Sequence, residues 1–162
     1  MDGGREVSHG ATEQDVGSAT GDARAVLHTM DPQCHLQSLE GRTRSAAVWM
    51  LLECALAGYG RIRVIAGRRS LATQWRLYGR GRTASECESV GVPARYSRPG
   101  GRRVRWCLAE RLAHVEGEAF DVNVRMYAES EWERIGAIGE RCGLDWGGRW
   151  EVKDNVHFQL RA

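Results

Sequence analysis

The sequence lacks any apolar stretch near the roughly 20 residues that a membrane-spanning helix requires. It also lacks a charge excess of one sign, since the 162 residues carry a formal net charge of only +2. Nucleic-acid binding usually requires a strongly basic face. The first residues have neither the basic start nor the apolar run of a secretory signal. We therefore expect no membrane and no nucleic acid as partner, and synthesis in a cytoplasm without a signal peptide.

A recognisable cysteine pattern is also missing. The five cysteines, at positions 34, 54, 87, 107 and 142, are odd in number and widely spaced. No two of them form a Cys-x-x-Cys pair, which argues against a zinc knuckle and against a disulfide framework. We expect reduced thiols, as in a protein made in a cytoplasm.

The length of 162 residues fits one domain with its own core. Residues 1–24 are rich in Gly, Asp, Glu, Ser and Thr, a composition typical of a disordered tail. We therefore place the folded domain at residues 25–162 and expect a monomer.

The first half of this domain predicts two helices and a strand. The segment from Thr43 or Ser45 to Gly58 is apolar nearly all round, which predicts a buried central helix. Residues 61–66 alternate polar with apolar as a half-buried strand does. Ser70 is placed to cap a second helix, which Gly79 and Gly81 end.

The second half begins with a long loop rich in Gly, Pro and Arg at residues 82–101. Beyond it we predict strands at 103–108, 118–124 and 156–160. The helix between the last two starts at a capping box of Ser130 and Glu133 and ends at Gly143. These elements predict an α+β domain, with a small antiparallel sheet, helices packed on one side and a metal site at the face of the sheet.

Two histidines and two aspartates carry the chemistry that the sequence offers. His114, Asp121 and His157 match the three ligands of a catalytic zinc site, which keeps its fourth position for water. His114 and Asp121 would point to opposite faces of one unbroken strand, but a turn at Gly117 removes that conflict. Zinc lowers the pKa of its water and polarises a carbonyl. Asp154 is placed to be the base if its loop folds back beside the metal.

A second candidate feature is the cluster of arginines at positions 95, 98, 102, 103 and 105. A solvated loop is the interpretation that general loop behaviour favours. The alternative is a loop attracted to an anionic polymer such as a cell wall or nucleic acid.

Three motifs, in order, resemble those of one enzyme family. Residues 67–83 read Gly-Arg-Arg-Ser-Leu-Ala-Thr-Gln-Trp-Arg-Leu-Tyr-Gly-Arg-Gly-Arg-Thr, residues 114–121 read His-Val-Glu-Gly-Glu-Ala-Phe-Asp, and residues 154–158 read Asp-Asn-Val-His-Phe. They are similar to motifs of the peptidoglycan zinc peptidases that include VanY-like D-alanyl-D-alanine carboxypeptidases and phage L-alanyl-D-glutamate endopeptidases. Three ordered motifs are far more specific than one.

The resemblance implies roles for individual residues. One zinc ion per chain would be bound by His114, Asp121 and His157, and Asp154 would be the catalytic base. Arg69 would hold the substrate carbonyl or carboxylate and stabilise the oxyanion. Gln74 matches a recurrent glutamine that we interpret as structural. Two positions depart from the family: Leu112 stands where it has serine, and Arg68 where it has an aromatic residue.

The hypothesis that follows is a zinc-dependent peptidase that cleaves the stem peptide of bacterial peptidoglycan, of the L-alanyl-D-glutamate endopeptidase type. We expect a phage or prophage endolysin that reaches the cell wall by holin-dependent release. The alternatives are a D-alanyl-D-alanine carboxypeptidase and a non-catalytic wall-binding or virion-structural domain of the same fold. A binding module needs no base, so the presence of Asp154 argues against the last.

Overall fold

Helices and strands alternate along residues 35–103, 113–123 and 127–162, the parts of the chain that the computed structural model describes. In chain order they are α1 (Gly41–Leu56), β1 (Val64–Ala66), α2 (Leu71–Tyr78), α3 (Ala84–Glu88), α4 (Ala113–Glu116), β2 (Ala119–Val122), α5 (Glu129–Arg141), β3 (Leu144–Trp146) and β4 (His157–Leu160). Short 3-10 turns lie at His35–Ser38, Ala94–Tyr96 and Gly147–Arg149.

Several predictions from the sequence lie outside these residues. They are the tail at 1–24, nearly all of the strand at 103–108, the end of the strand predicted at 118–124, and the residues Cys34, Arg105, Cys107 and Leu112. Cys54, Cys87 and Cys142, which are described, are free thiols. None of the helices in the described ranges is long and apolar enough to cross a membrane.

The strands form an antiparallel sheet in the order β1-β2-β4-β3. The register of the central pair sets Phe120 opposite Phe158 and Asp121 opposite His157. Because side chains alternate between the two faces of a strand, the phenylalanines point one way, and their rings stack at 5.7 Å. Asp121 and His157 lie on the other face. The predicted α+β fold with a small antiparallel sheet is confirmed.

Helices α1 and α5 cover the phenylalanine face of the sheet. Their buried side chains join those of the strands in one core, which includes Met50, Leu51, Trp132, Ile135, Phe120, Trp146 and Phe158. Helix α5 approaches closely because it presents Gly136 to the Trp146 ring and Gly139 to the Phe158 ring. The other face of the sheet is left for polar residues.

Helix α1 differs from its prediction in both start and burial. It starts at Gly41, because the Glu40 side chain accepts hydrogen bonds from the backbone N–H groups of Arg42 and Thr43. The prediction that this helix is buried on all sides was wrong, since Trp49 is 60% and Leu56 77% exposed. Only the face that meets the sheet and α5 is buried.

Helix α5 also starts earlier than the predicted capping box. Ala128 is the N-cap residue, and its N–H donates to the Glu131 carboxylate over 2.7 Å. The predicted cap at Ser130 with Glu133 was therefore wrong. Glu133 instead accepts a hydrogen bond from Arg149 at 2.6 Å. Because Arg149 is distant in sequence, the local capping pattern gives no sign of this contact. Gly143 follows the helix in the left-handed region, at φ 87°, as predicted for its end.

The strand and loop predictions need three corrections. Strands β1 and β4 are shorter than the predicted 61–66 and 156–160, and β3 was missed because its three residues run directly into a glycine turn. The segment 82–101 is not a continuous loop, since Thr83 and Glu86 form the capping box of α3. Cys87 of this helix is buried with Tyr78 and Val92 in a second small core.

The close contact between α5 and β3 predicts that Gly136→Ala destabilises the protein. A Cβ atom there would lie 2.1 Å from the buried Trp146 ring. Overpacking a core costs about 1–3 kcal/mol, and the better helix propensity of alanine returns about 1 kcal/mol. We expect a lower free energy of unfolding in urea titrations. Gly41→Ala is the control, because nothing lies within 4 Å of its Cβ position; an equal effect of the two substitutions would contradict this packing.

Candidate metal centre

Three side chains meet on the polar face of the sheet. His114, Asp121 and His157 each direct one potential ligand atom to the same place, and these atoms lie within 4.8 Å of one another. Asp121 Oδ1 is 3.3 Å from His114 Nε2 and 3.2 Å from His157 Nδ1. Both histidines are buried and Asp121 is nearly so. The structure thus brings together all three predicted ligands, and the predicted position at the sheet face is confirmed.

Strand pairing and one glycine turn position these side chains. Asp121 and His157 are direct partners across the β2–β4 pair. His114 lies in α4, a single helical turn that ends at Gly117, whose φ is +83°. A residue with a Cβ atom is disfavoured at this φ, and here the Cβ would lie 3.0 Å from the Glu40 nitrogen. The predicted turn at Gly117 is confirmed, and a short helix precedes it.

The tautomer of His114 leaves one ring nitrogen able to bind a metal cation. Its Nδ1 lies 2.9 Å from the Gly67 carbonyl oxygen, which only accepts hydrogen bonds, so Nδ1 carries the proton. In the neutral ring Nε2 then presents a lone pair. This atom is buried and has no partner with hydrogen-bond geometry among the described residues, although it lies 3.3 Å from Asp121 Oδ1. His114 Nε2 and Asp121 Oδ1 are both electron-rich and are close enough together to bind the same metal ion.

The two carboxylate oxygens of Asp121 have different partners. Oδ1 faces the histidines, while Oδ2 is bonded to the Arg69 guanidinium. Burial raises the pKa of Asp121, but its contacts with the His114 and His157 rings and the Arg69 charge lower it more strongly, so that the pKa lies well below its ordinary value. The carboxylate is thus anionic and oriented, as a metal ligand must be. Arg69, predicted from the resemblance to contact substrate, contacts this carboxylate.

Asp154 is half-buried in the loop between the 3-10 turn at Gly147–Arg149 and β4. Its N–H donates to the Gly147 carbonyl at 3.0 Å, and its own carbonyl accepts from the His157 N–H at 3.1 Å. Burial raises the pKa of the Asp154 carboxyl, and the charge of Asp121 raises it further, while the two histidines lower it. The carboxylate therefore lies within electrostatic range of all three ligands.

Two further residues of the first motif, Arg68 and Arg69, contact the segment that contains His114. The Arg69 N–H donates to the His114 carbonyl at 2.8 Å. The Arg68 side chain donates to the Val115 carbonyl at 2.9 Å, so the arginine that replaces an aromatic residue ties this segment to α4. Gln74 is buried in α2, and its structural role stays a prediction.

Gly67, Gly147 and Trp150 also shape this centre, although the sequence predicted no role for them. Gly67 approaches His35 and Ser38 so closely that a Cβ atom would lie 2.7 and 2.6 Å from their oxygens. At Gly147 a Cβ would lie 2.5 Å from the Asp154 carbonyl oxygen. The Trp150 ring is tilted against His157, with centroids 4.9 Å apart. Gly67 begins the first motif and Gly147 precedes the third, so these glycines were the available signal, whereas nothing in the sequence pointed to Trp150.

Two imidazoles and a carboxylate around one point, with a further carboxylate nearby, define the class of metal-dependent hydrolases. Residues 110–160 match the family model described as D-alanyl-D-alanine carboxypeptidase, and this segment contains His114, Asp121, Asp154 and His157. The match confirms the resemblance to that peptidase family and the prediction of a hydrolytic peptidase. Arg69 lies outside the matched segment.

One similar solved structure is the L-Ala D-Glu endopeptidase ChiX of Serratia marcescens. The two chains share 20% sequence identity, with a TM-score of 0.47, over 78% of this chain and 83% of that one. No curated protein matches the sequence at a significant level.

The geometry predicts that each histidine is needed for metal binding. His114→Ala and His157→Ala should each lower the bound zinc from about one ion per chain, the stoichiometry of a mononuclear catalytic site, to a small fraction of that. Elemental analysis after dialysis measures it. His35→Ala, which changes a histidine outside the three ligands, should keep the metal. Full zinc retention in both ligand variants would contradict the assignment.

Proposed function

We propose that this chain is a zinc-dependent peptidase that cleaves the stem peptide of bacterial peptidoglycan, as an L-alanyl-D-glutamate endopeptidase. The observation that carries the proposal is the convergence of His114 Nε2, His157 Nδ1 and Asp121 Oδ1 within 4.8 Å. The further carboxylate of Asp154 distinguishes a hydrolytic site from a purely structural metal site, which is closed by four ligands.

We assign a different role in amide hydrolysis to each residue of the centre. His114, Asp121 and His157 would hold the zinc ion, which when bound would supply Lewis acidity for the attacking water and the scissile carbonyl. Asp154 would take the proton from the water, since its half-buried carboxylate belongs to the loop that leads directly into His157. Arg69 holds Asp121 in place through Oδ2. Its other N–H groups are the donors we assign to the substrate carbonyl or carboxylate.

A D-alanyl-D-alanine carboxypeptidase is the second candidate, and the description of the matching family model favours it. Both reactions hydrolyse an amide and need the same metal and base. They differ in the substrate, because the carboxypeptidase acts beside a free carboxylate. The products therefore distinguish them.

For the biological role we propose a phage or prophage endolysin that acts at the cell wall as a monomer, after holin-dependent release from the host cytoplasm. The exposed arginines at 95, 98, 102 and 103 support a wall partner, since they concentrate positive charge on one segment. Anionic wall polymers would be attracted to such a surface.

Digestion of purified peptidoglycan tests the activity. We expect zinc-loaded protein to release stem-peptide fragments with new amino termini on D-glutamate, and a chelator to stop the reaction. Release of D-alanine instead would identify the carboxypeptidase. Failure of the zinc-loaded protein to cut any wall type would contradict both enzymatic proposals. A non-catalytic wall-binding domain would then be the remaining interpretation.

Replacement of the proposed base separates chemistry from metal binding. Asp154→Asn should keep zinc but lower kcat about 10²–10⁴-fold, the usual contribution of a general base. Asp145→Asn is the control, because Asp145 pairs with Arg161 at the surface. Loss of zinc in the Asp154 variant would make Asp154 a ligand rather than the base.

A further inference from the structure

The loop between the 3-10 turn at Gly147–Arg149 and β4 contains Asp154, and the two residues next to Asp154 both bind one carboxylate of α5. Lys153 Nζ donates to Glu129 Oε1 at 2.9 Å, and Asn155 Nδ2 donates to Glu129 Oε2 at 3.1 Å. Asp154 stands between these two donors in the sequence. Glu129 thus binds the segment of the proposed base on both sides of it.

Glu129 is a firm point of attachment because its helix belongs to the core. It is the first residue of α5, whose Trp132 and Ile135 are buried in the main core. The same core holds Trp146, and the ring N–H of Trp146 donates to the Asn155 carbonyl at 2.9 Å. Asn155 is therefore held to α5 through its side chain and to β3 through its backbone.

The Asp154 side chain begins beside that of His157. A Cβ atom placed on Gly147 would lie 3.2 Å from the Cβ atoms of both residues, so the two side chains start next to each other. The backbone is arranged in the same way, since the Asp154 N–H donates to the Gly147 carbonyl and the Asp154 carbonyl accepts from the His157 N–H. A displacement of Lys153 and Asn155 would therefore move the Asp154 carboxylate relative to His157.

A separate ion pair holds the start of the same loop. Arg149 donates through Nε and Nη2 to the two oxygens of Glu140, at 3.0 and 3.1 Å, and through Nη1 to Glu133 at 2.6 Å. Paired donors of this kind give a guanidinium a defined orientation. The 3-10 turn is thus anchored without Glu129, and the part of the loop that depends on Glu129 is its second half, where Asp154 lies.

We propose that Glu129 is a positioning residue that holds Asp154 beside the metal centre by binding the two residues next to it. The proposal deepens the proposed function and rests on the role of Asp154 in it. The side chains of Glu129 and Lys153 are 61% and 55% exposed, and exposed ion pairs add little to global stability. The effect of Glu129 should therefore appear in the loop and in turnover rather than in global unfolding.

Turnover of zinc-loaded variants on soluble peptidoglycan fragments tests the effect on the base. Glu129→Ala removes both contacts and should lower kcat about 5–30-fold, the factor that one or two weak polar interactions are worth, because a misplaced base slows proton transfer. KM and zinc content should stay as in the wild type. Asn155→Ala removes one contact without a change of net charge and should also lower kcat. Glu53→Ala, which changes an exposed glutamate of α1, is the matched control and should keep kcat.

Hydrogen exchange of the Asp154 and His157 amides, measured by NMR, tests the positioning without any need for activity. Both N–H groups are hydrogen-bonded within this loop, so Glu129→Ala should speed their exchange about 5–30-fold by local opening, while the amides of α1 exchange as in the wild type. Unchanged exchange of the two amides in folded Glu129→Ala, or faster exchange with an unchanged kcat, would overturn the proposal. A wild type without peptidase activity would contradict the proposed function, whereas the exchange rates would still decide whether Glu129 positions Asp154.

Discussion

The pairing of β2 with β4 is the constraint on which the candidate centre depends. Antiparallel pairing in this register makes Asp121 and His157 direct neighbours and, one position away, stacks Phe120 on Phe158. The same ladder thus fixes the core on one face and the ligands on the other. A shift of register by one residue would exchange the two faces. The hydrophobic core therefore specifies the position of the candidate metal ligands.

Around this pair, the site is completed by segments that join it through backbone contacts. The loop at Gly67 accepts from His114 Nδ1, and Arg69 donates back to the His114 carbonyl. Asp154 is held between Gly147 and His157 by two backbone hydrogen bonds. Such contacts orient ligands at little entropic cost, because the groups belong to ordered backbone. They also explain why glycines stand at both points of close approach.

The sequence predicted that His114, Asp121 and His157 lie together, and it predicted the sheet faces, because histidine and aspartate in family-like motifs and period-2 alternation are local signals. Alternation along β2 and β4 places Phe120 and Phe158 on one face and Asp121 and His157 on the other. Helix starts were less predictable: Glu133 fits a capping box with Ser130, but its partner Arg149 is distant in sequence. The Arg69–Asp121 contact joins residues that are distant in sequence, so no spacing rule indicates it.

The central claim is that zinc binds to two imidazoles and one carboxylate, and X-ray absorption spectroscopy at the zinc edge tests it most directly. The account predicts two histidine nitrogens at about 2.0–2.1 Å and otherwise oxygen neighbours at about 2.0–2.2 Å. Sulfur neighbours at about 2.3 Å, which would come from cysteine, or a spectrum without histidine scattering, would contradict it.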